Sequence, residues 1–345
     1  MRQKVLKFVN RVVTLILVLL VIYVVFHSHF HEIVDSLAHL SIFAIIVILG
    51  LGLAFLLLDS LAYFTLIRDY FGFKEGYKHA LNITAMGIFL NIATSNLGTI
   101  PVQSYYLHKQ GVPVSKAIDT IFMDTIFHKL AVYSLAIIMF VTHLDWLKSV
   151  MHDYIFLIYL AFAISVLLII VLTLFCTYSK VGRLANKLLD MLLRKEKYQA
   201  KKVAIQKTIT NLYVDSKALL SDYRKWVIVL LAQILKISCS SAVPYFALKF
   251  LGYTTISFSQ AFTLAVLVLI FVSVLPSMAG IGPAELSYLT LFGLVVGDIF
   301  TASSLIVYRI ATYFWPFVLS TLIFMKIKHQ VDLKIEGEIY ENRDR

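Results

Sequence analysis

Long apolar runs, twice broken by small, polar and helix-breaking residues, limit what this chain can fold into more than any other feature. The unbroken runs are Val12–Phe26, Ser41–Thr65, Ala117–Val141, Tyr154–Cys176, Trp226–Leu248 and Ala302–Met325. About 20 helical residues cross a hydrocarbon core. Ala80–Ile92 is shorter, and it runs into Ala93-Thr94-Ser95-Asn96-Leu97-Gly98-Thr99-Ile100-Pro101. Gln260–Leu275 meets a similar block, Pro276-Ser277-Met278-Ala279-Gly280-Ile281-Gly282-Pro283, before Leu286–Val296 resumes. Irregular backbone at membrane depth is tolerated only where protein covers it or a cavity adjoins it. The two breaks therefore read as re-entrant or discontinuous helices.

Composition closes off the other classes. The 345 residues are 60% hydrophobic and 15% charged, with a mean hydropathy of +0.84. A soluble domain has about 45–50% apolar and about 25% charged residues, so a soluble globular enzyme and a disordered chain are excluded. Phe 25 and Tyr 19 outnumber Gly 14 and Pro 6, which favours an all-α chain over a β-barrel. Val12–Phe26 lacks a small-residue cleavage pattern after it and reads as a retained anchor. Cys176 and Cys239 lie in apolar runs and read as buried apolar filler. The sequence calls for no cofactor and no metal. His27, His29 and His31 could bind an ion, but no acidic or Cys partner fixes a geometry.

The distribution of basic residues sets the orientation. If both broken segments return to the side they entered, the N-terminus, Arg68–His79, Leu107–Lys116, Lys180–Lys225 and the C-terminal tail are all cytoplasmic. Those stretches hold 26 of the 31 Lys and Arg residues. Lys148 and Lys249 face outward, and Lys129, Lys236 and Arg309 lie within spans. The expectation is about six full crossings plus two oppositely facing re-entrant hairpins, with both termini inside.

A shift of 182 positions places Gly98 on Gly280, Pro101 on Pro283 and Gly111 on Gly293. Three further positions place Ala117 on Ala302, Ile121 on Ile306 and Asp124 on Arg309. This predicts an inverted repeat within a single domain, 1–330, with halves at about 41–141 and 226–325. A basic linker at 180–225 joins them, and a polar tail follows at 331–345.

Several residues could carry chemistry. Pro283 suits the first position of a helix, and Gly280 and Gly282 let backbone approach a ligand. Gly98 and Pro101 repeat the arrangement. The free N–H groups of such half-helices favour an anion such as phosphate. Glu285, in the first turn after Pro283, could cap the helix, carry a proton or hold a cationic head group. Asp124 and His128 are four apart on one face of a span, with Asp119 and Lys129 nearby, and ionisable groups there mark a site. Arg309 needs an internal partner, Asp124 or Glu285, or a lipid phosphate. Lys236 could partly snorkel to the interface. The polar residues Asn96 and Ser277 lie in the two breaks, and Tyr313 lies one turn beyond Arg309. Lys180–Lys225 holds 12 basic and 4 acidic residues, and Leu184, Leu188, Leu189 and Leu192 recur at helical spacing. That pattern suits anionic phospholipid better than nucleic acid.

Leu275-Pro276 through Gly280-Ile281-Gly282-Pro283-Ala284-Glu285, then Tyr308-Arg309-Ile310-Ala311-Thr312-Tyr313-Phe314-Trp315-Pro316, resembles the transmembrane region of the lysylphosphatidylglycerol synthases. These are the multiple peptide resistance factors and their stand-alone flippase-like relatives. Gly98-Thr99-Ile100-Pro101 to Gly111-Val112-Pro113, and Asp124, are similar to that family's first half. The resemblance covers about residues 5–330. Met278 and Ala279 replace the usual Pro and Gly, and Gln103, Ser104 and Tyr105 stand where acidic and basic residues are frequent.

The resemblance implies a bacterial cytoplasmic-membrane protein that handles lipid. In the longer relatives a cytosolic domain transfers an amino acid from aminoacyl-tRNA to phosphatidylglycerol, and the membrane region moves the product outward. No such catalytic domain is expected in this chain. The leading expectation is therefore a lipid translocase without catalytic activity of its own. Its substrate would be lysyl-phosphatidylglycerol or a polyprenyl-phosphate lipid. The alternative is a membrane module or subunit of a phosphatidylglycerol lysyltransferase, working with a separate transferase. A homodimer is compatible with either.

Overall fold

The computed structural model describes residues 40–94, 98–152, 155–177, 222–274 and 282–327, together with a few isolated positions. Among these residues every regular element is a helix. The helices are α1 (Ile42–Ile67), α2 (Phe73–Thr94), α3 (Thr99–Lys109), α4 (Val114–Thr142), α5 (Leu144–Val150), α6 (Ile155–Thr177), α7 (Tyr223–Phe250), α8 (Phe258–Val274), α9 (Pro283–Val296) and α10 (Asp298–Arg309). After α10 a π-helical turn, Ile310–Phe314, leads into a helix that runs on to Ile327. Val12–Phe26, most of Lys180–Lys225, Asn96, Ser277 and Gly280 lie outside the described residues, as does the side chain of Cys176.

Local chemistry explains where the helices begin and end. The Ser41 hydroxyl accepts the Ala44 N–H at 3.2 Å and opens α1. Asp59 is the single charged side chain in that 26-residue helix. Pro113 disfavours helix at Val112, which separates α3 from α4. Pro283 occupies the first turn of α9, where a missing N–H costs nothing.

Four segments are long and apolar enough to cross a membrane: Ile42–Tyr70, Val114–Thr142, Tyr223–Phe250 and Asp298–Ile327. They carry exposed Ile42, Phe43, Val141, Leu231, Leu322 and Met325. Large apolar side chains left outside in this number are what lipid contact requires. The chain is thus an all-α, multi-pass membrane protein. One sequence expectation changes here. The short apolar run Ala80–Ile92 is only part of α2, which is 22 residues long because the polar stretch from Phe73 joins it.

The order of elements recurs. Long α1, broken α2 and α3 and long α4 are matched by long α7, broken α8 and α9 and the long segment from α10 to Ile327. Within each set the two helices flanking the break pack on each other. The N-caps of α3 and α9 are Gly98 and Gly282, 184 positions apart. Gly280, set against Gly98 by the sequence spacing, lies outside the described residues. Pro101 occupies the third position of α3, whereas Pro283 occupies the first position of α9.

The chain divides into two compact units. One comprises the described parts of Met1–Leu53, Leu135–Phe162 and Ser238–Trp315; the other, those of Ala54–Ser134, Ala163–Ile237 and Pro316–Arg345. The first unit has a core of Ile48, Phe140, Leu147, Val243, Leu264, Val268, Tyr288 and Phe292. The second is built on Tyr63, Ile67, Ile83, Met86, Leu107 and Ile121, with a smaller cluster around Ala62, Met123, Phe127 and Val229.

Candidate functional site

Among the described residues, each unit has a largely buried group of ionised side chains that its own helices bring together. In the first unit the group forms at the start of α9. Gly282 has φ of 95°, a left-handed conformation that a side chain would strain. This turns its N–H onto Glu285 Oε2 at 2.7 Å. The other Glu285 oxygen pairs with Arg309 at 2.5 Å. One carboxylate therefore caps the helix and neutralises the guanidinium at once. Of the partners that sequence allowed for Arg309, the structure shows Glu285.

Arg309 also lies over the Tyr313 ring, 5.3 Å from its centre. The π-helical turn directly follows Arg309, an irregularity common at functional positions. Gly52 on α1 lies against the Ala311 carbonyl of that turn. A Cβ at Gly52 would strike this oxygen and come within 3.1 Å of Trp315. Behind the pair, Tyr288 stacks on Phe292 and Tyr308 and donates to Ser304 Oγ at 3.0 Å. The ion pair is mostly buried, at 13% and 16% side-chain exposure, yet still reachable.

In the second unit five helices converge on a buried polar network. Lys236 from α7 pairs with Asp59 from α1 at 2.6 Å. One turn away on α7, Gln233 donates to Asp124 Oδ1 of α4 at 2.6 Å. Since its NH₂ group serves Asp124, the Gln233 carbonyl oxygen faces His128 Nδ1 at 3.3 Å and accepts from it. Asp124 and His128 thus meet through Gln233, not directly. The Tyr63 hydroxyl bonds to Asp124, and the Gln103 amide from α3 reaches Tyr63. Gln103 also donates to the Ile83 carbonyl of α2 at 2.8 Å.

Lys236 is buried and paired, so it does not snorkel as the sequence allowed. Asp119 is buried on the same helix as Asp124, and Lys129 is half-buried. Gly98 and Pro101 start α3 without an acidic residue in the first turn, so that terminus lacks the carboxylate that α9 carries. Lys225, the last basic residue of the 180–225 stretch, pairs with Asp69 and lies 3.8 Å from Asp222. Cys239 is a half-buried free thiol, less enclosed than expected. Among the described residues no cluster of His, Cys, Asp or Glu could hold a metal ion.

Sequence reasoning passed over Asp59, Tyr63 and Gln233, and it noted Gln103 only as a departure from the family pattern. Asp59 carried a usable signal, being an acid alone in an apolar span. Gln233 carried none, because an uncharged amide in a span gains significance only from what faces it.

No curated protein matches the chain. A family model described as "Lysylphosphatidylglycerol synthase TM region" matches residues 11–320. That description covers the membrane region alone, without the separate aminoacyltransferase domain of a synthase. The described helical spans and this match over most of its length agree, and the chain belongs to the lysylphosphatidylglycerol synthase transmembrane-region family.

Proposed function

We propose that this chain is the lipid-handling membrane module of a lysylphosphatidylglycerol system, and that it takes the lipid head group at Glu285 and Arg309. The observation that carries this reading is the reachable ion pair at the capped start of α9. A lysyl-phosphatidylglycerol head group has a phosphate and two ammonium groups. If the Glu285–Arg309 pair opens, the phosphate takes the planar guanidinium and Glu285 takes an ammonium. Neither Arg309 nor Glu285 is then left without an opposite charge, the condition under which ionised groups are tolerated there. The first-turn N–H groups of α9 that follow Pro283 add a positive end toward the phosphate. Gly98 and Pro101 offer a second, weaker anion position. The family match supports a membrane module of lysyltransferase type more directly than it supports unaided translocation.

Translocation is the second reading, and the recurring set of helices favours it. In this reading the two sets are inverted, the broken pairs are re-entrant from opposite faces, and both termini are cytoplasmic. A transferase or anionic phospholipid would meet residues 180–225, and the chain could work as a homodimer.

The test reconstitutes purified protein in liposomes with head-group-labelled phosphatidylglycerol, lysyl-phosphatidylglycerol and a polyprenyl phosphate. We expect lysyl-phosphatidylglycerol to bind best, and Arg309→Ala to weaken it at least about tenfold, or roughly 1.4 kcal/mol. Equal binding of all three lipids by wild type and variant would overturn the site. Exposure of the label to an impermeant quencher by the protein alone supports translocation. Binding without exposure leaves the module reading.

A further inference from the structure

We infer that the buried network around Asp124 is a binding site for one proton, carried by Asp124 and coupled to the lipid step. The coupling rests on the function proposed above; the proton site does not.

The argument begins with a count of charge. Two carboxylates, Asp59 and Asp124, share the network with one close ammonium, Lys236. Lys236 holds Asp59 at 2.6 Å, which makes that pair neutral. Asp124 is left with a neutral amide donor, Gln233. Across the network Asp59 acts against its charge, and Lys236, whose contact is with Asp59, acts in its favour. A buried carboxylate without a cation of its own is strongly disfavoured, and the usual relief is a proton.

Side chains from four of the five helices make up the polar network around this position. They are Asp59 and Tyr63 from α1, Gln103 from α3, His128 and Lys129 from the same helix, α4, and Gln233 and Lys236 from α7. Lys129 adds positive charge toward His128, and His128 uses Nδ1 on Gln233. Asp124 takes the proton on the oxygen that Gln233 does not hold. The Tyr63 hydroxyl fits either state, since it can donate to a carboxylate or accept from a carboxylic acid.

A second, independent observation points the same way. Gln103 is 1% exposed, and its Oε1 is buried with no hydrogen-bond partner. The network therefore keeps one buried acceptor open, on the side chain whose amide reaches Tyr63. A metal cation does not fit as well. Hard monovalent and divalent ions need several oxygen ligands, whereas the groups close to Asp124 include the N–H donors of Gln233 and Lys236. Proton uptake is balanced: Asp124 carboxylate plus a proton from water gives the neutral acid, with no other bond changed.

The experiment uses full-length protein in liposomes with two readouts. Infrared difference spectra across about pH 5–9 should show a protonated-carboxyl C=O band that disappears in Asp124→Asn and shifts in frequency in Gln233→Leu. Movement of labelled lysyl-phosphatidylglycerol should change at least about threefold with an imposed pH gradient in wild type. In folded Asp124→Asn that response should be lost, while sodium substitution has no effect. If Asp124→Asn does not fold, the Gln233→Leu band shift still assigns the carboxyl. Absence of the band, or its persistence unchanged in both variants, overturns the proton site. A band with lipid movement that ignores the gradient, or responds to sodium instead, overturns the coupling. A band with no lipid movement by any wild-type preparation supports the proton site and rejects translocation.

Discussion

The two ionised groups differ in one respect that outweighs their likeness: one is balanced and the other is not. At the start of α9 one acid meets one base, Glu285 and Arg309, and the carboxylate caps a helix as well. Around α7 two acids meet one close base, with amide, phenol and imidazole groups filling the gaps. A balanced pair is stable when closed and can exchange each member for an opposite charge on a ligand. An unbalanced group must take something up, and the smallest thing available is a proton. The difference suggests a division of labour: the reachable pair addresses a zwitterionic or cationic head group, and the enclosed network holds a charge that comes and goes.

Mutations can break this comparison. The largest effect is expected for Lys236→Met, which leaves two buried carboxylates facing each other. Loss of one partner of a buried pair costs about 3–5 kcal/mol, read as a lower melting temperature in detergent. Asp59→Asn added to Lys236→Met should recover most of that loss. A double variant no better than the single would show that Lys236 serves some other group.

Arg309→Met should cost less stability, about 1–3 kcal/mol, because water reaches the Glu285 it leaves behind. It should nonetheless remove lipid binding almost completely. Loss of stability equal to that of Lys236→Met would erase the distinction between a reachable and an enclosed site.

Gly52→Ala places a methyl group against the Ala311 carbonyl next to Arg309. We expect a loss of about 1–3 kcal/mol and weaker lipid binding, with the Asp124 carboxyl band unchanged. A shift in that band would mean that the two sites respond together. The smallest effect is expected for Tyr288→Phe, about 1 kcal/mol for one buried hydrogen bond. Ser304 keeps its own bond to the Thr301 carbonyl at 3.1 Å, so lipid binding should be unaffected.

Much of the fold was legible in the order of residues. Apolar runs of spanning length, Gly and Pro at the two breaks and the positions of Pro113 and Pro283 act through local chemistry, which depends on near neighbours in the chain. Glu285 as a helix cap was readable for the same reason, because its partner Gly282 is three residues away. Arg309, Asp124 and Lys236 could be singled out from sequence because a charge in an apolar span announces itself. Their partners could not be assigned. Lys236 lies 177 positions from Asp59, and Gln233 lies 109 positions from Asp124. The spacing of Gly and Pro led to the expectation of a repeat. Gly98 and Gly282 each stand at the N-cap of the helix after their segment, but with different backbone conformations.

The sequence by itself determined that this chain enters a membrane as helices, where those helices break, and which side chains are too costly to be there without purpose. The tertiary structure alone decided which charges neutralise each other, that Gln233 stands between Asp124 and His128, and that one group has an acid to spare. The physical reason is range. Hydrophobicity, backbone restriction and capping are properties of a residue and its neighbours in sequence. Charge balance in a low-dielectric interior depends on a few ångströms between helices that the chain connects only at a distance.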